Sequence, residues 1–192
     1  MTKYEVVLIG SSTGGPIALQ TIMRGLPAAF PVPIVIVQHM PESFTKLFAA
    51  RINSSCNLTA KEAAQGDIIL PGNIYIAPGG KQLSFKMLAD NSVEIQIDAR
   101  EADSYYSPCI DIAFNSASAV FKNKALVLIL TGMGADGKEG VRMLKQSGST
   151  VWIQDENSSV VFGMPLAVLE AGLADKVLNL DDISSALINE FT

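Results

Sequence analysis

Residues that bind metals are scarce in this sequence. Its 192 residues include one histidine, His39, and two cysteines, Cys56 and Cys109. The cysteines are not in a C-x-x-C arrangement, so a zinc site would be short of ligands. We therefore predict no metal site. Two isolated thiols are typical of a reducing compartment, although the sequence leaves one disulfide open.

Clustered positive charge and long apolar runs are also lacking. Lys and Arg number 14 against 19 Asp and Glu, which gives a formal net charge of −5. Nucleic-acid binding needs clustered Lys and Arg, so this balance argues against nucleic acid as the main ligand. No apolar run reaches the roughly 18 residues needed to span a bilayer, and the first residues lack a signal-peptide pattern. We expect a cytoplasmic protein without membrane insertion.

Apolar residues are abundant, at 48%, whereas charged residues make up 17%, which is typical of a well-packed globular protein. Short apolar segments alternate with segments of helical periodicity, and no linker or repeat interrupts them. This alternation predicts a single α/β domain over residues 1–192, doubly wound, with a mostly parallel sheet and helices on both faces. The predicted strands are 4–9, 34–37, 59–63, 74–77, 125–130, 150–154 and 176–178, and the predicted helices are 16–25, 42–53, 109–121, 138–146, 164–171 and 181–191.

One part of the chain departs from the alternation of strands and helices. Residues 82–88 and 93–98 flank Asp90-Asn91-Ser92, which is a turn signal between two strand-like segments. We predict a small antiparallel hairpin there, at one edge of the main sheet.

The turn after the first predicted strand has a G-x-S-x-G spacing, with Ser12 between Gly10 and Gly14. A strand-turn-helix of this kind exposes a serine oxygen at the end of a sheet. The spacing alone is weak, because such turns also bind phosphate or merely reverse the chain. A Walker lysine and a G-x-G-x-x-G pattern are both absent, which argues against a P-loop and against a dinucleotide fingerprint.

Two further polar residues follow predicted strands. His39 follows strand 34–37, and Asp136 lies in the glycine-rich loop after strand 125–130. Because parallel strands end at one edge of a sheet, Ser12, His39 and Asp136 can meet there as nucleophile, base and orienting acid. His39 and Asp136 also have interpretations without catalysis. His39 could be a hydrogen-bonded structural residue, and Asp136 could be a turn or cap residue. Met133, between two glycines, could offer its backbone N–H to an oxyanion, or could belong to a turn that binds nothing.

Four segments together resemble the CheB-type chemotaxis methylesterases. They are IGSSTGGP at 9–16, VQHMP at 37–41, LTGMGADG at 130–137 and VFGMP at 161–165. The resemblance covers nearly the whole chain, in order. It implies hydrolysis of glutamate γ-methyl esters on the cytoplasmic helices of methyl-accepting chemoreceptors, with release of methanol, and deamidation of certain receptor glutamines.

The resemblance also implies roles for particular residues. Ser12 would be the nucleophile, His39 the general base and acid, and Asp136 the orienting carboxylate. Thr13 would lie beside the nucleophile, and Met133 would donate its N–H to the oxyanion. Such an enzyme needs no metal or organic cofactor.

Two positions depart from the family pattern: Gln82, where many members have histidine, and Ser107, where many have arginine. We interpret both as changes that bear on receptor contacts and target specificity. Some family members also carry an N-terminal receiver domain, for which this chain has no room, so the sequence predicts either a stand-alone esterase or a catalytic domain from a longer protein. A receiver domain could then act in trans. Two alternatives stay open: a serine hydrolase of another ester or amide, and a receptor-docking module without catalysis.

Overall fold

The computed structural model describes residues 3–99 and 105–191. The strands are β1 Val6–Ser11, β2 Ile34–Gln38, β3 Thr59–Glu62, β4 Asn73–Ile76, β5 Lys81–Met87, β6 Val93–Ala99, β7 Ala125–Ile129, β8 Thr150–Gln154 and β9 Lys176–Leu178. The helices are α1 Gly15–Gly25, α2 Glu42–Ser55, α3 Ile110–Phe121, α4 Lys138–Gln146, α5 Gly163–Glu170 and α6 Leu180–Phe191, and a 3-10 turn covers Lys122–Lys124. The predicted alternation of strands and helices is confirmed, and the ends of the elements differ by one or two residues.

Seven strands form one sheet in the order β3-β4-β2-β1-β7-β8-β9, and every pairing in it is parallel. The chain first builds the half from β1 to β3 and then crosses to β7 on the other side of β1. The strand order therefore reverses between β1 and β7. In an open α/β sheet, ligands bind outside the carboxyl ends of the strands at such a switch point.

Helices cover both faces of the sheet, as predicted. The central strands β1, β2 and β7 are buried along their whole length, which explains why their sequences are apolar runs and do not alternate. One apolar core joins the sheet to α1, α2 and α6, and a second joins it to α3, α4 and α5. The fold is a doubly wound α/β domain.

The predicted hairpin is present as β5 and β6, which pair antiparallel in a two-stranded sheet of their own. Its apolar side belongs to the same core as α3, and the Phe85 N–H donates to Ser116 Oγ of that helix at 3.2 Å. On its other edge, β6 bonds the preceding loop, where the Ile95 N–H donates to the Asp67 carbonyl at 2.8 Å. The hairpin thus packs over a helix and brings its first residues close to the end of β2.

Among the helices of residues 3–99 and 105–191, none has the length and apolar character needed to cross a membrane.

Candidate active site

Three loops meet at the switch point of the sheet. They follow β1, β2 and β7, and β1 lies between the other two strands. Ser12 follows β1, His39 follows β2, and residues 131–137 follow β7. The sheet topology therefore places all three predicted catalytic positions on the same edge.

The turn that carries Ser12 is fixed by backbone hydrogen bonds on two sides. The Ser12 N–H donates to the Thr131 carbonyl at 3.0 Å, and the Gly15 N–H donates to the Ser12 carbonyl at 2.8 Å. Gly14 has a φ of 83°, which favours glycine, and it allows α1 to start directly behind the serine. Ser12 is half-buried just before the N-terminus of α1, where unpaired N–H groups and the helix dipole favour negative charge.

Gln38 connects the end of β1 with the end of β2. Its buried side chain accepts a hydrogen bond from Ser11 Oγ at 2.6 Å, and its amide donates to the carbonyls of Ser12 at 3.0 Å and His39 at 2.9 Å. A Cβ atom at Gly15 would collide with the Gln38 side-chain oxygen. Glycine at this position thus leaves room for the amide that spaces Ser12 and His39.

His39 and Asp136 form a direct, nearly buried pair. His39 Nε2 lies 2.6 Å from Asp136 Oδ2, and the two side chains are 11% and 3% exposed. A carboxylate at this distance keeps a proton on Nε2, which leaves the lone pair on Nδ1. Nδ1 is buried and has no hydrogen-bond partner among the described residues. The imidazole is therefore oriented so that Nδ1 is the atom that can accept a proton.

Asp136 is held by the first turn of α3. The backbone N–H groups of Ile110 and Asp111 donate to its carboxylate at 2.8 and 3.0 Å, and Cys109 Sγ lies 3.3 Å from Oδ1. Burial alone would raise the pKa of Asp136, but the hydrogen bonds from His39, Ile110 and Asp111 outweigh it and lower the pKa below its ordinary value. Asp136 therefore stays ionised beside the imidazole.

Cys109 and Asp111 lie on either side of the contacts to that carboxylate, and the pKa of each is raised rather than lowered. Burial, followed by the Asp136 charge, raises the pKa of the Cys109 thiol to about 12. Burial also raises the pKa of Asp111, against the hydrogen bond that Gly140 N–H donates to it at 2.7 Å. The Cys109 thiol is thus protonated near neutral pH and serves as a weak donor to Asp136 rather than as a nucleophile.

The loop after β7 presents backbone to the same cleft. Gly132 lies against the Ser12 turn, because a Cβ there would lie 2.9 Å from the Ser12 Cβ. The next residue, Met133, has a side chain that is 67% exposed. Neither the Met133 N–H nor the Thr13 N–H bonds to an acceptor in the described part of the chain. Both N–H groups are therefore open to an incoming oxygen.

Residues 161–164 brace this loop from behind. The Gly132 N–H donates to the Val161 carbonyl at 2.9 Å, and the Met164 N–H donates to the Gly132 carbonyl at 2.9 Å. Thr131 Oγ1 lies 2.9 Å from the Thr13 carbonyl and accepts from the Val161 N–H at 3.0 Å. The loop is thus tied to the Ser12 turn on one side and to the start of α5 on the other.

The structure brings two of the three predicted triad members into direct contact, His39 and Asp136. It puts Ser12 at the adjacent strand end, without a side-chain hydrogen bond to His39 among the contacts of the described residues. Thr13 is the next residue in the Ser12 turn, and Met133 lies in the loop after β7.

Three neighbours of the predicted site were missed by sequence reasoning: Gln38, Cys109 as a contact of Asp136, and Tyr106, whose ring stacks on His39. For Gln38 a signal existed, since it lies beside His39 in the VQHMP segment at 37–41. For Tyr106 and Cys109 no local pattern indicated the contact.

Within residues 3–99 and 105–191, no group of three or more His, Cys, Asp or Glu side chains is arranged to hold a metal ion.

Comparison with known proteins gives one consistent family. The family model described as CheB methylesterase matches residues 7–187. Protein-glutamate methylesterase/protein-glutamine glutaminase 2 of Pseudomonas fluorescens (strain Pf0-1) is 51% identical over 186 residues, which are 97% of this chain and 48% of that protein. Protein-glutamate methylesterase/protein-glutamine glutaminase 1 of Pseudomonas aeruginosa PAO1 is 51% identical over 185 residues, 96% of this chain and 49% of that protein. The chain thus spans about half the length of these curated relatives.

A solved structure shows the same fold. The crystal structure of the Thermotoga maritima CheB methylesterase catalytic domain matches with a TM-score of 0.93 and 44% sequence identity, over 97% of this chain and 98% of that one. The region that this chain shares with its longer relatives therefore has the fold of a CheB methylesterase catalytic domain.

Proposed function

The chain belongs to the CheB methylesterase family, and from that premise we propose that it hydrolyses γ-methyl esters of glutamate side chains to glutamate and methanol. We extend the proposal to deamidation of glutamine side chains, because both reactions begin with attack on a side-chain carbonyl. The names of these relatives combine the two activities.

The observation that carries the proposal is the buried His39–Asp136 pair at 2.6 Å, with Nδ1 left unpartnered among the described residues. Serine hydroxyls are poor nucleophiles until a base removes the proton. In the proposed reaction, Ser12 Oγ attacks the ester carbonyl carbon while Nδ1 of His39 takes the hydroxyl proton. The ionised Asp136 stabilises the imidazolium that forms.

The second half of the reaction uses the same groups. Methanol leaves with the proton from His39, and an acyl-enzyme stays on Ser12. Water then attacks the acyl carbon, gives a proton to His39, and releases the glutamate side chain as the serine regains its proton. We propose that the open N–H groups of Thr13 and Met133 stabilise the negative oxygen in both tetrahedral intermediates, an effect worth roughly 3–4 kcal/mol in other hydrolases.

The proposed substrate is the cytoplasmic helical region of methyl-accepting chemoreceptors. This assignment rests on family membership. It implies that the domain works in the cytoplasm. Because the chain spans about half of its relatives, regulation by a receiver domain, in the same protein or in trans, belongs to the proposal too.

The test is methanol release from a methylated chemoreceptor. We expect release by the wild type and loss on the order of 10⁴- to 10⁶-fold for Ser12→Ala and His39→Gln. Ser185→Ala serves as the matched control, since that serine is exposed on α6, and it should keep wild-type activity. All variants should show the same far-UV circular dichroism.

Each contrary outcome points to one of the alternatives. Activity that survives in Ser12→Ala or His39→Gln contradicts the triad. Hydrolysis of generic small esters without receptor turnover contradicts the substrate and favours a different serine hydrolase. Failure of a fluorophosphonate to label Ser12 in the folded protein contradicts catalysis and favours a docking module.

A further inference from the structure

Tyr106 lies flat against His39, the one histidine of the chain. The two ring centroids are 4.1 Å apart, and the ring planes differ by 5°. The hydroxyl end of Tyr106 reaches the loop after β7, since a Cβ at Gly134 would lie 3.2 Å from it. One side chain thus contacts both the imidazole and the loop that contains Met133.

The backbone of Tyr106 is held by Gln82, the second residue of β5. Gln82 Nε2 donates to the Tyr106 carbonyl at 2.8 Å, and Gln82 Oε1 accepts from the Cys109 N–H at 2.8 Å. The Gln82 side chain is buried, at 3% exposure. A single amide therefore fixes both ends of the short segment 106–109, which runs from the His39 stack to the Asp136 contact.

Two further bonds tie this segment to the start of the hairpin. The Gly80 N–H donates to the Ser107 carbonyl at 3.0 Å, and Ser107 Oγ donates to the Lys81 carbonyl at 3.1 Å. Both positions that depart from the family pattern, Gln82 and Ser107, are thus engaged in internal contacts. These contacts support a role in shaping the active site and give no support to the receptor-contact role expected from the sequence.

We propose that Tyr106 is a positioning residue for the esterase reaction, that it holds the His39 imidazole in the plane where Nε2 meets Asp136, and that Gln82 fixes Tyr106 for this task. The proposal rests on the proposed function in one respect, namely that His39 is the base. It adds a residue pair that acts through His39 without touching the reacting atoms.

The physical reason is geometric. An imidazole bonded only through Nε2 can still tilt about that bond, and a tilt moves Nδ1 away from the serine oxygen. A flat ring stacked on one face removes that freedom. The same face favours the imidazolium that forms when His39 takes a proton. Burial, followed by the nearby Tyr105 and Asp136, raises the pKa of the Tyr106 hydroxyl, so the stacked ring is a neutral phenol at working pH.

The experiment compares Tyr106→Leu, Tyr106→Phe and Tyr105→Leu. Tyr105 is the matched control, because it is the neighbouring tyrosine, 85% exposed, and contacts Tyr106 edge-on without stacking on His39. We expect Tyr106→Leu to label Ser12 with a fluorophosphonate more slowly by about 10- to 100-fold, since small misplacements of reacting groups cost that much. Tyr106→Phe should restore the rate, and Tyr105→Leu should keep it.

A second readout separates positioning from general destabilisation. Because the chain has one histidine, its imidazole ¹⁵N signals are assigned without ambiguity. We expect the wild type and Tyr106→Phe to show one tautomer with the proton on Nε2, and Tyr106→Leu to show a mixture or exchange broadening. On methylated receptor, the loss in Tyr106→Leu should fall on kcat, with KM within about two-fold.

Gln82→Glu keeps the test decisive if Tyr106→Leu fails to fold. The glutamate retains the acceptor for the Cys109 N–H but loses the donor to the Tyr106 carbonyl. We expect the same change in the imidazole spectrum and a smaller loss of labelling. Wild-type labelling and an unchanged tautomer in folded Tyr106→Leu or Gln82→Glu would overturn the proposal. A wild type that labels normally but does not hydrolyse methylated receptor would instead overturn the proposed substrate. The comparison of labelling rates and imidazole spectra between the wild type and the variants would stay valid.

Discussion

Asp136 and Met133 lie in the same loop, yet their surroundings are opposite. Asp136 is 7% exposed, and its carboxylate contacts His39, two backbone N–H groups and a thiol. Met133 is 67% exposed, and its N–H bonds to no acceptor among the described residues. The Asp136 carboxylate thus has its hydrogen-bond partners within the protein, and we call this part of the loop the closed end. The Met133 N–H has no such partner in the described residues, and we call that part the open end.

Under the proposed mechanism, this difference would let one loop serve two purposes. An orienting acid must be in place before the substrate arrives, so its hydrogen bonds are made internally. An oxyanion donor must instead keep its hydrogen bond for the substrate. The glycines around Met133 allow the open end, and the first turn of α3 provides the closed end.

Asp136→Asn is the most direct test of the contacts at the closed end. The amide keeps the size of the carboxylate but cannot hold a proton on Nε2 in the same way, and its NH₂ group faces donors from α3. We expect a loss of esterase activity on the order of 10⁴-fold, as for the same change in other triads. Receptor methanol release and Ser12 labelling should fall together. Activity within ten-fold of wild type, in a folded variant, would show that Asp136 is a helix-capping residue only.

The open end is tested by two substitutions at Met133. Met133→Pro removes the N–H, and we expect activity to fall by about 10²- to 10³-fold, as when other hydrolases lose one oxyanion donor. Met133→Ala keeps the N–H and serves as its matched control, with a small-ester rate close to wild type. Equal rates for the two variants would rule out the Met133 N–H as an oxyanion donor.

Gly134 links the open end to Tyr106, and Gly134→Ala should weaken both the fold and the site. Its φ is 88°, and an added Cβ would meet the Tyr106 hydroxyl at 3.2 Å. Gly72→Ala is the control, because Gly72 has a φ of 76° but open space around it. We expect urea unfolding to show a loss of about 1–2 kcal/mol for Gly72→Ala from backbone strain alone. Gly134→Ala should lose more and should also label Ser12 more slowly; equal losses would mean that the contact with Tyr106 is not tight.

The smallest expected effect is the pH dependence of stability. The folded-state pKa of Asp136 lies below its ordinary value of 3.8, so the stability from its charge is present above that value and is lost as pH falls below it. The stability difference between wild type and Asp136→Asn should therefore become smaller as the pH falls below 3.8. The pKa of Asp111 is raised, so the wild type should become more stable relative to Asp111→Asn as pH falls. Chemical unfolding at several pH values measures both trends, and trends of the same sign would contradict the opposite shifts.

Much of the fold could be predicted from the sequence because its signals are local. Apolar runs mark the buried strands, and the predicted alternation with helices appears in the structure. The convergence of Ser12, His39 and Asp136 followed from one rule, namely that parallel strands end at a common edge. The hairpin was predicted too, but its separate sheet was not, because the choice of partner depends on α3 and not on the strand sequences.

The remaining details depend on contacts between distant parts of the chain. The sequence left open whether Asp136 caps the helix that follows it. In the structure it bonds the first turn of α3, which precedes it, and the same carboxylate binds His39. Likewise, nothing near Tyr106 in the sequence indicates that its ring stacks on His39 or that Gln82 holds it. Such pairings are set by tertiary packing, which single-sequence patterns do not encode.

The position of β1 between β2 and β7 has a consequence during synthesis. His39 and Asp136 are separated by 97 positions in the sequence, and β7 can pair with β1 only after the hairpin and α3 have been made. Contacts of such long range form late, because the intervening chain must first be ordered. A nascent chain that exposes only the Ser12 turn and His39 therefore lacks the acid and the β7 loop. Under the proposed mechanism, we therefore expect the His39–Asp136 pair to form only after β7 and its loop have been made.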